Sequence, residues 1–184
     1  MISELNIQQN SCLFLDRDGV INKRLMDGYI TNWSEFVFID GVFEALNILQ
    51  QQFNTIVIVT NQQGIGKGLY TIEDLHNIHN NMLQEFEKNN IHIHAVFFAP
   101  QLKSENSDMR KPAIGMALKA KQIFKNISLE NSVMVGDTIS DMQFGRNAAM
   151  KNIFIKNETD NEKNDEKLID FTFNSLLSFA KKIE

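Results

Sequence analysis

Cysteine is almost missing from this chain: Cys12 stands alone among 184 residues. That excludes a disulfide framework, and nothing points to a secreted context. Cys12 lies inside a short apolar run ending at Leu15, so its thiol reads as buried packing and not as a nucleophile. The first ten residues are polar and hold no hydrophobic signal region. No apolar run approaches the ~20 residues of a membrane span, which excludes a helical membrane protein. Positive charge is also short, with 18 Lys and Arg against 23 Asp and Glu and a net charge of −5. A general nucleic-acid binder is usually basic, so that class is set aside, although a local positive pocket is still allowed. Histidine is sparse as well. His76 and His79 fall on a helix expected to be exposed, and His92 and His94 flank Ile93 at the start of a strand. None is expected to hold a metal. These absences leave a cytoplasmic protein, expected to be monomeric, that uses neither nucleic acid nor membrane as partner.

What remains is an ordinary globular composition, 43% hydrophobic and 22% charged. The length suggests one domain over residues 1–184, large enough to bury roughly 70% of the unfolded surface. Short runs rich in Val, Ile, Leu and Phe predict strands over 12–15, 55–59, 93–98, 132–135 and 152–155, each without polar alternation, as in strands buried on both faces. Helical periodicity is predicted over 42–51, 72–88, 114–124, 140–149 and 174–182, with Thr71 capping the second. This alternation predicts an α/β fold: a doubly wound, three-layer, Rossmann-like parallel sheet. The polar, charged stretch 157–167 reads as a surface loop. The long connection 22–40 shows no core pattern and is a candidate functional loop, in which Tyr29 and Trp33 are placed to cover a substrate.

In such a sheet, ligands bind beyond the carboxyl ends of the strands. The first strand is followed by Asp16 and Asp18, the second by Thr60 and Asn61, and the fourth by Asp137 and Asp141. Arg110 and Lys111 end the loop after the third. Carboxylates this crowded repel by roughly 4 kcal/mol per pair at ~4 Å and an effective dielectric near 20. A divalent cation resolves the conflict, and hard oxygen ligands favour magnesium over zinc. Lys111 and Arg110 add the positive charge that an anionic substrate needs. One of the first two carboxylates could attack phosphorus while the other moves protons. The pair would share a face if the strand continued, but Gly19 suggests a sharp turn there. Asp137, directly after Gly136, is the stronger ligand candidate. Asp141 would sit in a first helical turn, where a carboxylate is favourable anyway. The glycine-rich QQGIGKG (Gln62 to Gly68) lacks the P-loop Ser or Thr after its lysine, so it reads as a loop supporting the site.

Four stretches, FLDRDGVIN (Phe14 to Asn22), VTNQQGIGKG (Val59 to Gly68), RKP (Arg110 to Pro112) and VGDTISDMQFG (Val135 to Gly145), resemble in order and spacing the four motifs of the haloacid dehalogenase superfamily. GYI (Gly28 to Ile30), FIDGV (Phe38 to Val42) and RKPxxGM (Arg110 to Met116) resemble more closely its branch acting on D-glycero-D-manno-heptose 1,7-bisphosphate and histidinol phosphate. The resemblance covers about residues 12 to 156. It implies a magnesium-dependent phosphomonoesterase on a small phosphorylated sugar, without a large cap domain. The best single substrate is the heptose bisphosphate at its 7-phosphate, and histidinol phosphate or a broader sugar phosphate is the alternative. By the same resemblance Asp16 is the nucleophile forming an aspartyl-phosphate, and Asp18 is the acid and base. Asp16, the carbonyl of Asp18 and Asp137 bind Mg2+. Thr60 and Lys111 hold the transferring phosphoryl group, and Arg110, Asn61 and Tyr29 are expected at the substrate. Two departures are visible. Relatives carry a zinc-holding loop whose ligand positions here are Ala99, Gln101, Ser107 and Met109, so no structural zinc is expected. Thr138 stands where the heptose enzymes often have Lys. Outside this class, a receiver-type phosphoacceptor would carry its acceptor after the third strand, where Ala99 and Pro100 stand. An inactive binding module is opposed by the intact Asp16, Asp18, Lys111 and Asp137.

Overall fold

A computed structural model describes residues 5–25, 28–156 and 166–184. Six strands form one parallel sheet in the order β3-β2-β1-β4-β5-β6. They are β1 (Cys12–Leu15), β2 (Thr55–Asn61), β3 (Ala95–Ala99), β4 (Val133–Gly136), β5 (Lys151–Ile155) and β6 (Phe171–Phe173). The helices are α1 (Val42–Gln52), α2 (Ile72–Lys88), α3 (Gly115–Ile123), α4 (Ile139–Asn147) and α5 (Leu176–Ile183).

Side chains on a strand alternate between faces, and the core divides accordingly. Leu13, Leu15, Ile56, Ile58, Val133 and Val135 face α1, α2 and α5. Cys12, Phe14, Val57, Val59 and Met134 face α3 and α4 on the other side. The sheet is thus covered on both faces, the expected three layers, and among the described residues no large cap is evident. Connections run outward from β1 in both directions, so the order reverses between β1 and β4. That reversal opens a crevice at the carboxyl ends.

The sixth strand was not expected: three residues reading Phe-Thr-Phe carry too little pattern to separate from a loop. The third strand begins two residues later than its apolar run, because Ala95 is the first residue in register with Val57. The stretch 157–165 lies outside the described residues, and the loop expected there ends in a 3-10 turn at Glu166–Leu168. The connection 22–40 does carry core. Ile30 and Phe36 are buried, and Trp33 stacks on Phe36 at 5.0 Å between ring centroids. Trp33 packs in that aromatic cluster and is not among the residues that line the cleft; aromatic residues at irregular spacing leave no periodicity to read. His79 is likewise buried and not on an exposed face. Among the described residues no helix is long and apolar enough to cross a membrane.

Candidate active site

The carboxyl edge of the sheet holds a cleft of about 770 Å³. Asp16 directly follows β1, and its backbone N–H still donates to Val135 of β4 at 2.9 Å. Its side chain is buried and meets Lys111 Nζ at 2.7 Å. Lys111 Nζ donates as well to Asp141 at 2.6 Å and to the Val59 carbonyl at 2.7 Å. The lysine backbone is held by Asn61, whose amide donates to the Lys111 carbonyl and accepts from its N–H, both at 3.0 Å. Three strand ends thereby fix one ammonium group.

Asp137 follows β4, and Asp141 lies one turn into α4. Thr138 caps that helix: its hydroxyl accepts from the Asp141 N–H, and Asp141 Oδ2 accepts from the Thr138 N–H at 3.0 Å. The capping box uses one Asp141 oxygen and leaves the other for Lys111. Two glycines make the crowding possible. A side chain at Gly19, whose φ is +95°, would collide with Asp137, and one at Gly136 with Asp141.

The result is a group of three buried carboxylates, Asp16, Asp137 and Asp141, with ligand oxygens within 4.8 Å of one another. Burial, then Asp141, push the Asp16 carboxyl up to about 6 against the opposing pull of Lys111. Asp137 is raised well above the carboxylate range by burial and then by Asp16, with Arg24 opposing. Burial alone would lower the Lys111 ammonium, but Asp141 and Asp16 outweigh it and hold the group above its ordinary value. The protein's own cations therefore leave the cluster short of positive charge, and an all-oxygen set suits a hard divalent cation.

Asp18 sits in different company. Its carboxylate accepts from Arg17 Nη2 at 2.8 and 2.9 Å, from Asn22 Nδ2 at 2.9 Å and from Gln62 Nε2 at 2.9 Å. Burial pushes it up, but Arg17 and then the two amides win, so its pKa is lowered. β1 ends at Leu15, so the pair lies beyond the strand, and the two carboxylates meet separate partners. Asp18 accordingly adds no carboxylate to the three-acid group. Its carbonyl shares a partner with that group: Arg24 Nη2 lies 3.5 Å from Asp18 O and 3.0 Å from Asp137 Oδ1.

The other expected residues line the same cleft. The Thr60 hydroxyl accepts from Gln62 at 2.8 Å. Tyr29 Oη accepts from Lys67 Nζ at 2.9 Å and from Gln63 at 3.0 Å. Arg110 reaches the Gln101 carbonyl at 3.5 Å, and burial lowers its pKa. In the loop 99–110, Ala99 is buried at the end of β3, Met109 packs on the core, and backbone bonds such as Gly115 N–H to Asp108 O at 2.8 Å hold the shape. Arg17, Asn22, Gln62, Arg24 and His79 were not anticipated as site residues. Arg17 had a signal, a cation between two acids. His79 had none, since a histidine on a helix is indistinguishable from a solvated one.

A doubly wound parallel sheet with this acidic group and lysine at its switch point defines a phosphatase of the haloacid dehalogenase class. The family model described as polynucleotide kinase 3 phosphatase matches residues 13–181, and the chain belongs to that family. The D-glycero-alpha-D-manno-heptose-1,7-bisphosphate 7-phosphatase of Campylobacter jejuni is 39% identical over 154 residues, covering 84% of this chain and 87% of that one. The D-glycero-beta-D-manno-heptose-1,7-bisphosphate 7-phosphatase of Vibrio cholerae is 41% identical over 138 residues, 71% of this chain and 72% of that one. The fold resembles the D,D-heptose 1,7-bisphosphate phosphatase of B. bronchiseptica, solved with magnesium and phosphate: TM-score 0.81, 23% identity, 94% of this chain and 97% of that one.

Proposed function

We propose that this protein is a magnesium-dependent phosphatase that removes the 7-phosphate from a D-glycero-D-manno-heptose 1,7-bisphosphate in the cytoplasm, acting as a monomer. The single observation that carries the chemistry is the convergence of Asp16, Asp137 and Asp141 on one buried point beside Lys111. The substrate comes from the names of relatives that match most of the chain.

Asp16, Asp137 and the Asp18 carbonyl would hold Mg2+, which supplies charge neutralisation for the phosphoryl oxygens. Asp16 attacks phosphorus, and the bond to the sugar oxygen breaks as Asp18 delivers its proton to that oxygen. Asp18, now a carboxylate, takes a proton from water; the hydroxide attacks phosphorus, and Asp16 is released with inorganic phosphate. The donors around Asp18 favour the carboxylate needed in the second half. A neighbouring dianionic phosphate favours the protonated form needed in the first. Lys111 orients Asp16 and, with the Thr60 hydroxyl, contacts the transferring group. Tyr29 and Arg110 line the cleft where the rest of the substrate lies, and Asn61 serves by fixing Lys111.

Phosphate release from the heptose bisphosphate tests this reading, with histidinol phosphate alongside. Magnesium-dependent turnover is expected, and Asp16→Asn should reduce it on the order of 10⁴-fold or more while the chain stays folded. Turnover in that variant at the wild-type rate would sink the mechanism; preference for histidinol phosphate would replace the substrate.

A further inference from the structure

We propose that His79 is a positioning residue that holds Asp18 for proton transfer, acting through the Arg17 guanidinium; this rests on the role given to Asp18 above. Arg17 is the largest side chain that is almost wholly buried, at 1% exposure. A buried cation needs its charge paired and most of its donors met. Nη2 donates to the Asp18 carboxylate, Nη1 lies 3.2 Å from His79 Nε2, and Nε has no hydrogen-bond partner among the described residues. The Phe36 ring covers the guanidinium carbon at 5.8 Å from its centroid.

The direction of the Arg17–His79 bond follows from chemistry. A guanidinium only donates, so His79 Nε2 must accept and the imidazole must be neutral with its proton on Nδ1. Burial, then Arg17, pull the His79 pKa down to about 3, which keeps the ring in that form. His79 itself is held from two sides. It belongs to the buried face of α2 with Leu75, Ile78 and Met82, and Phe98 of β3 stands edge-on at 6.1 Å. A helix and a strand thus fix a lone pair, the lone pair fixes the guanidinium plane, and the plane fixes a carboxylate at the cleft. The polar chain ends at Asp18, whose side chain is 22% exposed, while its other members are buried. An apolar side chain at 79 would pack the same space and leave Nη1 free to tilt.

Mispositioning a proton donor slows departure of a strongly basic leaving group and spares a weakly basic one. The experiment compares heptose 1,7-bisphosphate, whose departing sugar oxygen would be a strongly basic alkoxide without a proton from Asp18, with p-nitrophenyl phosphate, whose phenolate departs unaided. In His79→Leu, kcat/KM on the sugar phosphate, which reports the half-reaction that expels the leaving group, should fall about tenfold, while kcat/KM on the aryl ester changes less than about twofold; the water step that Asp18 also serves is common to both esters and lies outside that ratio. His79→Gln, whose carbonyl can accept from Arg17, should restore the ratio. If the leucine variant does not fold, His79→Asn, polar but too short to reach Arg17, carries the same expectation. Equal loss on both esters, or no loss on either, overturns the proposal. Asp16→Asn in the same assay separates the two readings: turnover surviving there overturns the phosphatase mechanism, whereas equal loss in the His79 variants with Asp16→Asn inactive overturns only the role of His79.

Discussion

Asp16 and Asp18 stand two residues apart and experience opposite fields. Asp16 lies among carboxylates, with one shared ammonium, and is pushed up to about 6 by burial and Asp141. Asp18 is ringed by a guanidinium and two amides and is lowered. The first region is built to be completed by an added cation; the second is already satisfied by the protein. Identical side chains thus acquire different chemistry because β1 ends at Leu15 and each carboxylate beyond it meets different neighbours, Lys111 at Asp16 and Arg17, Asn22 and Gln62 at Asp18.

The most direct way to break the contrast is Asp18→Asn. It removes the proton carrier and leaves the acidic group whole, so kcat/KM on the sugar phosphate should drop about 10²–10⁴-fold, with a visibly smaller loss of kcat/KM on p-nitrophenyl phosphate. Steady-state kinetics on the two esters checks it.

Lys111→Met attacks the other region. It strips Asp16 and Asp141 of their common cation while all three side chains are nearly solvent-free. Stability in a chelator should fall by about 3–5 kcal/mol, read by urea denaturation, and turnover should vanish. A stability loss under ~1 kcal/mol would mean that the carboxylates are already protonated when no metal is bound.

The sign of the Asp16 shift sharpens the comparison further. Its pKa is raised from 3.8 to about 6 in the folded chain, so its contribution is greatest below the unfolded value and is lost as pH rises through the folded one. In a chelator the Tm should therefore fall between about pH 4 and pH 7, by a few degrees. Magnesium should raise Tm more at about pH 7 than at about pH 5, because protons compete for the same oxygens. Thermal melts at both values decide it; an equal magnesium effect would place the metal elsewhere.

The smallest effect is expected at the rim. Tyr29→Phe removes the hydroxyl that accepts from Lys67 and Gln63. KM should rise about two- to fivefold with kcat nearly unchanged, since a single hydrogen bond is worth about 1 kcal/mol.

Much of this site could be read before any coordinates. The runs ending at Leu15, Val59 and Val135 are continuous and apolar, so the residues just beyond them had to meet at one edge. Asp16, Thr60, Lys111 and Asp137 were legible for that reason. Trp33 and the start of the third strand were read less well, because irregular spacing and a two-residue offset leave no periodic trace. His79 was misread outright: helical periodicity gives a residue's face, but which face is covered depends on what packs there, and Arg17 comes from sixty-two positions away.

The amino-acid sequence alone determined the strand–helix alternation, the edge that carries the chemistry and the identity of the acids delivered to it, because burial periodicity and the succession of elements along the chain are local or nearly local properties. Tertiary structure alone decided that Asp141 joins Asp16 and Asp137, that Asp18 faces Arg17, and that a buried histidine stands behind both. Those outcomes depend on distances of a few ångströms between segments far apart in the chain, and electrostatic energies at that range are set by geometry and solvent exclusion, which residue order does not record.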